Sequence, residues 1–150
     1  DEVTYNLHVM LRYEIEKQLF NGELTVKELP NAWNTMFQEW FGEEVPNDRL
    51  GCLQDIHWSM GAFGYFPTYT LGNLYAAQLL ESMAEELGDI DALVESGDWS
   101  PLLEWLRPRI HAEGSKMSPA DLIEKATGAP PSPEPFLRYV EEKYGRIYGL

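Results

Sequence analysis

Between its glycine and proline breaks, the chain repeats apolar side chains at three- and four-residue intervals, and no alternating apolar–polar run longer than four or five residues interrupts that period. Such spacing buries one stripe of a helix and cannot bury one face of a strand. The chain is therefore expected to be all-α, a compact multi-helix domain with at most one short strand near residues 50–57. Residues 3–20 place Val3, Leu7, Met10, Leu11, Ile15 and Leu19 on one stripe, leave Glu14, Glu16 and Lys17 outside it, and end at Asn21-Gly22. Thr25 and Glu28 have capping-box spacing, and Pro30 is tolerated only in a first turn, so the next helix begins near Pro30 and carries Trp33, Met36, Phe37, Trp40 and Phe41 to Gly42. Residues 43–68 lose the period. It returns from Tyr69 to Leu87 with Gly88 as the stop, and a short helix follows in DIDALVESG. Ser100-Pro101 and Ser118-Pro119 each have the form of a cap followed by a first helical residue. Pro108 is placed to kink or restart its helix, and the stiff connector APPSPEPF leads to a last helix, FLRYVEEKYGRIYG.

At 150 residues the chain suits a single helical domain over 1–150. Its net charge of -14 repels phosphate backbones and anionic lipid, which argues against nucleic acid as a partner. No apolar run reaches the length of a membrane span. Cys52 is the lone cysteine, so an internal disulfide and a cysteine zinc site are excluded; a reducing, cytoplasmic setting is the expectation. The chain opens as a helix in full stride, without an initiator Met or a capping run, so Asp1 is expected to be a cut and the lack of a signal peptide carries no information.

None of the three histidines has the His-Glu-x-x-His spacing of a helical zinc pair. His8 fits a structural role, hydrogen-bonded to a backbone carbonyl, and His111 fits a favourable charge at a helix C-terminus. Glu85-Glu86 and Glu141-Glu142 are expected to be solvated faces. His57 stands in denser company. In GCLQDIHW it is flanked by Gln54, Asp55 and Trp58, and Tyr65 and Tyr69 follow eight and twelve residues later in MGAFGYFPTY, a loop of turn-forming glycines and a rigid proline. Two readings fit these residues equally. One is a buried His57–Asp55 pair locked under Trp58, and the other is an imidazole and a phenol brought to one point to donate hydrogen bonds to a developing oxyanion.

GCLQDIHW resembles the Gly-x-x-Gln-Asp-x-His-Trp signature of the carboxypeptidase Taq family, the zinc metallocarboxypeptidases of peptidase family M32. TYNLHVMLRYEIEK resembles the helix after that family's Ile/Val-Arg-x-x-Ala-Asp motif. GYFPTYTLGN, IHAEGSKMSPADLIEKATG and PEPFLRYVEEKYG resemble its C-terminal region in order and spacing. The resemblance covers essentially the whole chain but only the last third of such an enzyme. It implies the C-terminal part of a helical zinc-peptidase fold of the neurolysin and angiotensin-converting-enzyme type, with the metal-binding part upstream of residue 1. Family members hold zinc, or another divalent metal, through a His-Glu-x-x-His helix and a further Glu. Those residues are not in this sequence, so no metal ligand and no cofactor is expected here.

By this resemblance His57 and Tyr69 are catalytic, with Tyr69 the oxyanion donor. Tyr65 contacts substrate near its C-terminal carboxylate, and Gln54 and Asp55 orient the loop on the substrate side; Trp58 is expected only to pack. The implied partners are a peptide substrate and a second copy of the chain. Self-association is further expected because the Trp33, Phe37, Trp40 and Phe41 stripe has the character of a face that packs on a missing part. Alone, the 150 residues are expected to be inactive. The alternative is a free-standing acidic helical interaction module that has lost the catalytic half.

Overall fold

The computed structural model describes residues 2–150, and among them are seven α-helices and no strand. They are α1 (Tyr5–Phe20), α2 (Leu29–Phe41), α3 (Pro67–Leu87), α4 (Ile90–Ser96), α5 (Ser100–Leu106), α6 (Pro119–Thr127) and α7 (Glu134–Tyr148). The short strand allowed near residues 50–57 is replaced by turns, with single 3₁₀ turns at Asp48–Leu50 and Trp58–Met60. The cause is local hydrogen bonding. The Asn47 side chain accepts from the Leu50 N–H at 3.1 Å and the Leu53 N–H reaches the Asp48 carbonyl at 2.8 Å, so these groups have partners without a neighbouring strand. The chain divides into two compact units, Asp1–Leu71 and Gly72–Leu150, with the division inside α3.

The first unit is built on α1 and α2. Leu11, Ile15, Leu29, Trp33 and Cys52 form its buried core, and Leu19, Leu24, Met36, Phe37, Trp40, Phe41, Val45 and Trp58 pack around them. Two expectations are corrected here. The aromatic stripe of α2 is not an exposed face: Trp33 is 1% exposed, and Phe37, Trp40 and Phe41 are half-buried against the unit's own core. The face that α1 buries is also rotated from the expected stripe. Met10 and Val3 are exposed, whereas Arg12 and Glu16 are buried beside Leu11 and Ile15. Two charged groups enter the interior because their partners, described below, are there to meet them.

Gly51 belongs to the same core by close approach. A β-carbon at this position would stand 2.7 Å from Val45 Cγ1 and 3.4 Å from Trp33 Cδ1. His8 differs from expectation as well. Its ring stacks on Phe41 at 4.3 Å, and the hydrogen bond at this residue is made by its backbone, whose carbonyl accepts from Arg12 Nη1 at 2.7 Å. Burial first, and the Arg12 charge second, push the His8 imidazole below its ordinary value.

The second unit buries Met83, Trp105 and Ile123 together with one polar side chain, Gln78. The Gln78 amide donates to Thr127 Oγ1 and the Ala129 carbonyl, each at 3.0 Å, and its oxygen accepts from the Ser132 N–H at 3.1 Å, which fastens the proline-rich connector onto α3. The expected cap at Ser118 is present, its hydroxyl accepting from the Asp121 N–H at 3.2 Å. Ser100 is not a cap; α5 already includes it, and the Asp98 side chain accepts from its N–H at 3.0 Å. Pro108 neither stops nor sharply restarts its helix. The backbone widens into a π-turn over Arg107–His111, with the Ala112 N–H reaching the Arg107 carbonyl at 2.8 Å.

Two stability predictions follow from these contacts. Gly51→Ala should lower the melting temperature by an amount equivalent to about 1–3 kcal/mol of overpacking. Gly72→Ala, at a helical position with nothing within 4 Å, should leave it unchanged or raise it; equal melting temperatures for Gly51→Ala and wild type would remove the close-packing account. The second concerns pH. Because the folded state holds His8 below its unfolded value of about 6.5, the unfolded chain binds more protons, and stability falls as pH drops through that value toward the lowered one. His8→Phe keeps a ring against Phe41 without the titration, so its melting temperature should fall less than that of wild type between about pH 7.5 and pH 5.5. Identical slopes would contradict the shift.

Candidate functional site

The residues singled out around GCLQDIHW converge within the first unit. After α2, the Asn47–Leu50 turn and the buried Gly51 and Cys52 bring the chain back over α1, and the Trp58–Met60 turn and two left-handed glycines, Gly61 and Gly64, return it to the start of α3. Tyr69 sits in the first turn of α3, which is proline-initiated at Pro67. There His57 Nε2 and Tyr69 Oη lie 3.1 Å apart.

Tyr65 stacks on the imidazole with ring centroids 5.8 Å apart, and meets Tyr69 edge-on at 5.3 Å. Phe66, 3% exposed, floors the imidazole at 4.6 Å. A cavity of about 310 Å³ opens here, lined by both members of the His57–Tyr69 pair and by Tyr5, His8, Arg12 and Gln54 among others. Tyr65 is 47% exposed and Gln54 is exposed, its amide donating weakly to the Leu50 carbonyl at 3.4 Å.

The imidazole's second nitrogen, Nδ1, is buried without a hydrogen-bond partner among the described residues. An orphaned buried N–H is rarer than an unfilled acceptor. The arrangement therefore favours the proton on Nε2, donated to the Tyr69 oxygen, which leaves the phenolic O–H for a second partner, with the Tyr65 phenol within its reach. Burial, with the neighbouring Tyr65 and Tyr5 phenols adding to it, pushes Tyr69 above its ordinary value, so the phenol keeps its proton as a donor through the neutral range.

Asp55 does not reach His57. Its Oδ2 accepts from Arg12 Nε at 2.7 Å, and the Arg12 guanidinium lies between the rings of Trp33, at 4.8 Å, and Phe66, at 5.4 Å. Trp58 does more than pack. Its indole N–H donates to Glu16 Oε1 at 2.7 Å, while the Gly64 N–H donates to Glu16 Oε2 at 2.9 Å. Arg12 and Glu16 are the residues that sequence reasoning passes over. The available signal is their position: charges four residues apart on the same helix face as Leu11 and Ile15, where a solvated pair would not sit.

The family's metal does not fit this site. Among the described residues no group of three or more His, Cys, Asp or Glu converges as ligands, and the carboxylate nearest in sequence to His57 is engaged by an arginine. No helix among the described residues is long and apolar enough to cross a membrane.

Along essentially its whole length the chain is similar to known proteins of one family. The family model for carboxypeptidase Taq (M32) metallopeptidase matches residues 1–144. Thermostable carboxypeptidase 1 of Thermus thermophilus is 50% identical over 99% of this chain, and carboxypeptidase 1 of Bacillus subtilis is 44% identical over all of it. The crystal structure of the M32 carboxypeptidase from Deinococcus radiodurans superposes with a TM-score of 0.95 at 38% identity over the whole chain. In each case the match spans about 30% of the relative's length, 29% for the Thermus protein and 30% for the other two, and it corresponds to the C-terminal portion. The chain belongs to the carboxypeptidase Taq (M32) metallopeptidase family.

Proposed function

We propose that, in a full-length polypeptide carrying this segment, these residues form one wall of the cleft of a metal-dependent carboxypeptidase that removes C-terminal residues from peptides. The observation that carries this reading is the 3.1 Å contact between His57 and Tyr69 at the edge of an open cavity, both on backbone held by buried contacts. As a nucleophile adds to the scissile carbonyl, negative charge grows on its oxygen. A phenolic O–H turned to that oxygen, with an imidazole N–H donated to the phenol behind it, would form a two-member donor chain in which each hydrogen bond strengthens the next. The half-exposed Tyr65 ring offers a surface to the residue at the substrate's C-terminus, and Gln54 lines the approach. Asp55, fixed by Arg12, holds the loop in register.

Zinc is the metal that suits this chemistry, held by residues other than those described, and on this reading the 150 residues alone would be inactive. A single buried free cysteine suits a reducing cytoplasm. Self-association is supported by apolar side chains left in water, with Leu53 67%, Ile56 66% and Met60 70% exposed.

In the full-length polypeptide, His57→Ala and Tyr69→Phe should each lower kcat and kcat/KM together by about a hundredfold, the loss typical of one oxyanion donor. Steady-state kinetics beside melting temperatures checks this. Unchanged kcat with a lowered melting temperature for His57→Ala would assign the pair to structure instead.

A further inference from the structure

We propose that Glu16 is a positioning residue for the His57–Tyr69 pair, acting as a clasp that closes the loop between them. The inference rests on the role assigned to that pair above. The loop leaves at His57 and returns at Tyr65. The residue just after its start, Trp58, and the residue just before its end, Gly64, both donate to one carboxylate, the first to Oε1 at 2.7 Å and the second to Oε2 at 2.9 Å. Because the two oxygens of a carboxylate are rigidly joined, Glu16 fixes the separation of the two ends of the loop as well as its seat on α1. His57 and Tyr65 lie one residue outside those ends, and Phe66 and Tyr69 follow within the next turn.

The chemistry of Glu16 is specific to this task. Glu16 is 4% exposed and stands in the C-terminal half of α1 beside Ile15. A carboxylate in that position is costly to desolvate and persists only where its lone pairs are filled. Gly64 has φ +72°, the left-handed region that a residue with a β-carbon rarely adopts, and in this conformation its N–H donates to Glu16. One helical turn earlier, Arg12 takes Asp55, two residues before His57. The imidazole is thus bracketed on both sides by bonds to α1, and Glu16 ties the His57 end of the loop to the tyrosine end by a hydrogen bond to each. Releasing it should leave the loop folded while loosening the His57–Tyr69 distance, and a misplacement on the order of 1 Å in such a pair costs up to about a hundredfold in rate.

Glu16→Gln is the discriminating variant, because its amide nitrogen would stand where one carboxylate oxygen accepts and would present a donor to one of the two N–H groups. In the metal-loaded full-length polypeptide, Glu16→Gln should lower kcat about tenfold with KM within about twofold of wild type. Histidine-selective ¹⁵N spectra of the same protein should show the His57 ring resonances displaced. Trp58→Phe, which removes one arm of the clasp, should lower kcat in the same sense, and Glu16→Gln should cost less in that background than in wild type. Glu14→Gln, at an exposed position paired with Lys17, is the control expected to change neither quantity.

If Glu16→Gln proves too unstable to assay, Trp58→Phe decides by the same two readouts. Wild-type kcat and unshifted His57 resonances in a variant that merely melts lower would reduce Glu16 to structure and overturn the inference. Should His57→Ala itself keep full activity, the role of the pair fails, and the His57 resonances alone then decide whether Glu16 positions the ring.

Discussion

Everything at the His57 site hangs on two charged side chains that one helix carries into the interior. Arg12 and Glu16 lie one turn apart on α1, both under a tenth exposed, and between them hold Asp55, Trp58 and Gly64. Buried charges of this kind add little net stability over a well-packed apolar core, because desolvation offsets most of the attraction, but removing one partner strands the other. Their contribution is to geometry. An apolar contact between α1 and the loop could slide by a fraction of an ångström at small cost, whereas a charge-assisted hydrogen bond at 2.7 Å cannot.

That constraint explains how an irregular segment can carry a defined site. Residues 42–66 contain only two 3₁₀ turns, and loops of this length are ordinarily mobile unless fastened. Here the fastening is distributed. Gly51 lets the chain press against Val45 and Trp33, Arg12 fills the gap between Trp33 and Phe66 while holding Asp55, and Glu16 closes the far side. Phe66 then floors the imidazole, and the proline-initiated first turn of α3 delivers Tyr69 from the opposite direction. In the proposed role, such a pair would donate from backbone that needs no reorganisation as charge develops, the condition under which electrostatic stabilisation is most effective.

Much of this was legible in the residues, and the exceptions are instructive. Helix positions followed from apolar period and from Gly and Pro punctuation because those signals are local: the stops at Gly42, Gly97 and Gly128 are all left-handed. The motif and the rigid loop left the His57–Tyr69 convergence as one of two equal readings, and the family resemblance alone singled it out. The engagement of Asp55 was not, since its neighbour in sequence, His57, is a plausible partner and its true partner, Arg12, lies 43 residues away. Glu16 falls outside the apolar stripe for a related reason: an acidic residue on a helix is ordinarily exposed, and only the fold reveals the indole and amide that donate to it. Trp58 was misjudged as packing alone because an indole's N–H has no sequence signature. The aromatic stripe of α2 was taken for an open face because its burial depends on a core assembled from α1 and the loop, neither of which announces the contact.

The central claim is that His57 and Tyr69 face the reacting carbonyl together. A crystal structure of the full-length, metal-loaded polypeptide with a phosphinic peptide analogue of the tetrahedral state tests it most directly. The account predicts the phosphinyl oxygen within about 3.2 Å of Tyr69 Oη, with His57 Nε2 still bonded to that phenol or itself reaching the same oxygen. An analogue bound with that oxygen beyond hydrogen-bond reach of both side chains would contradict it.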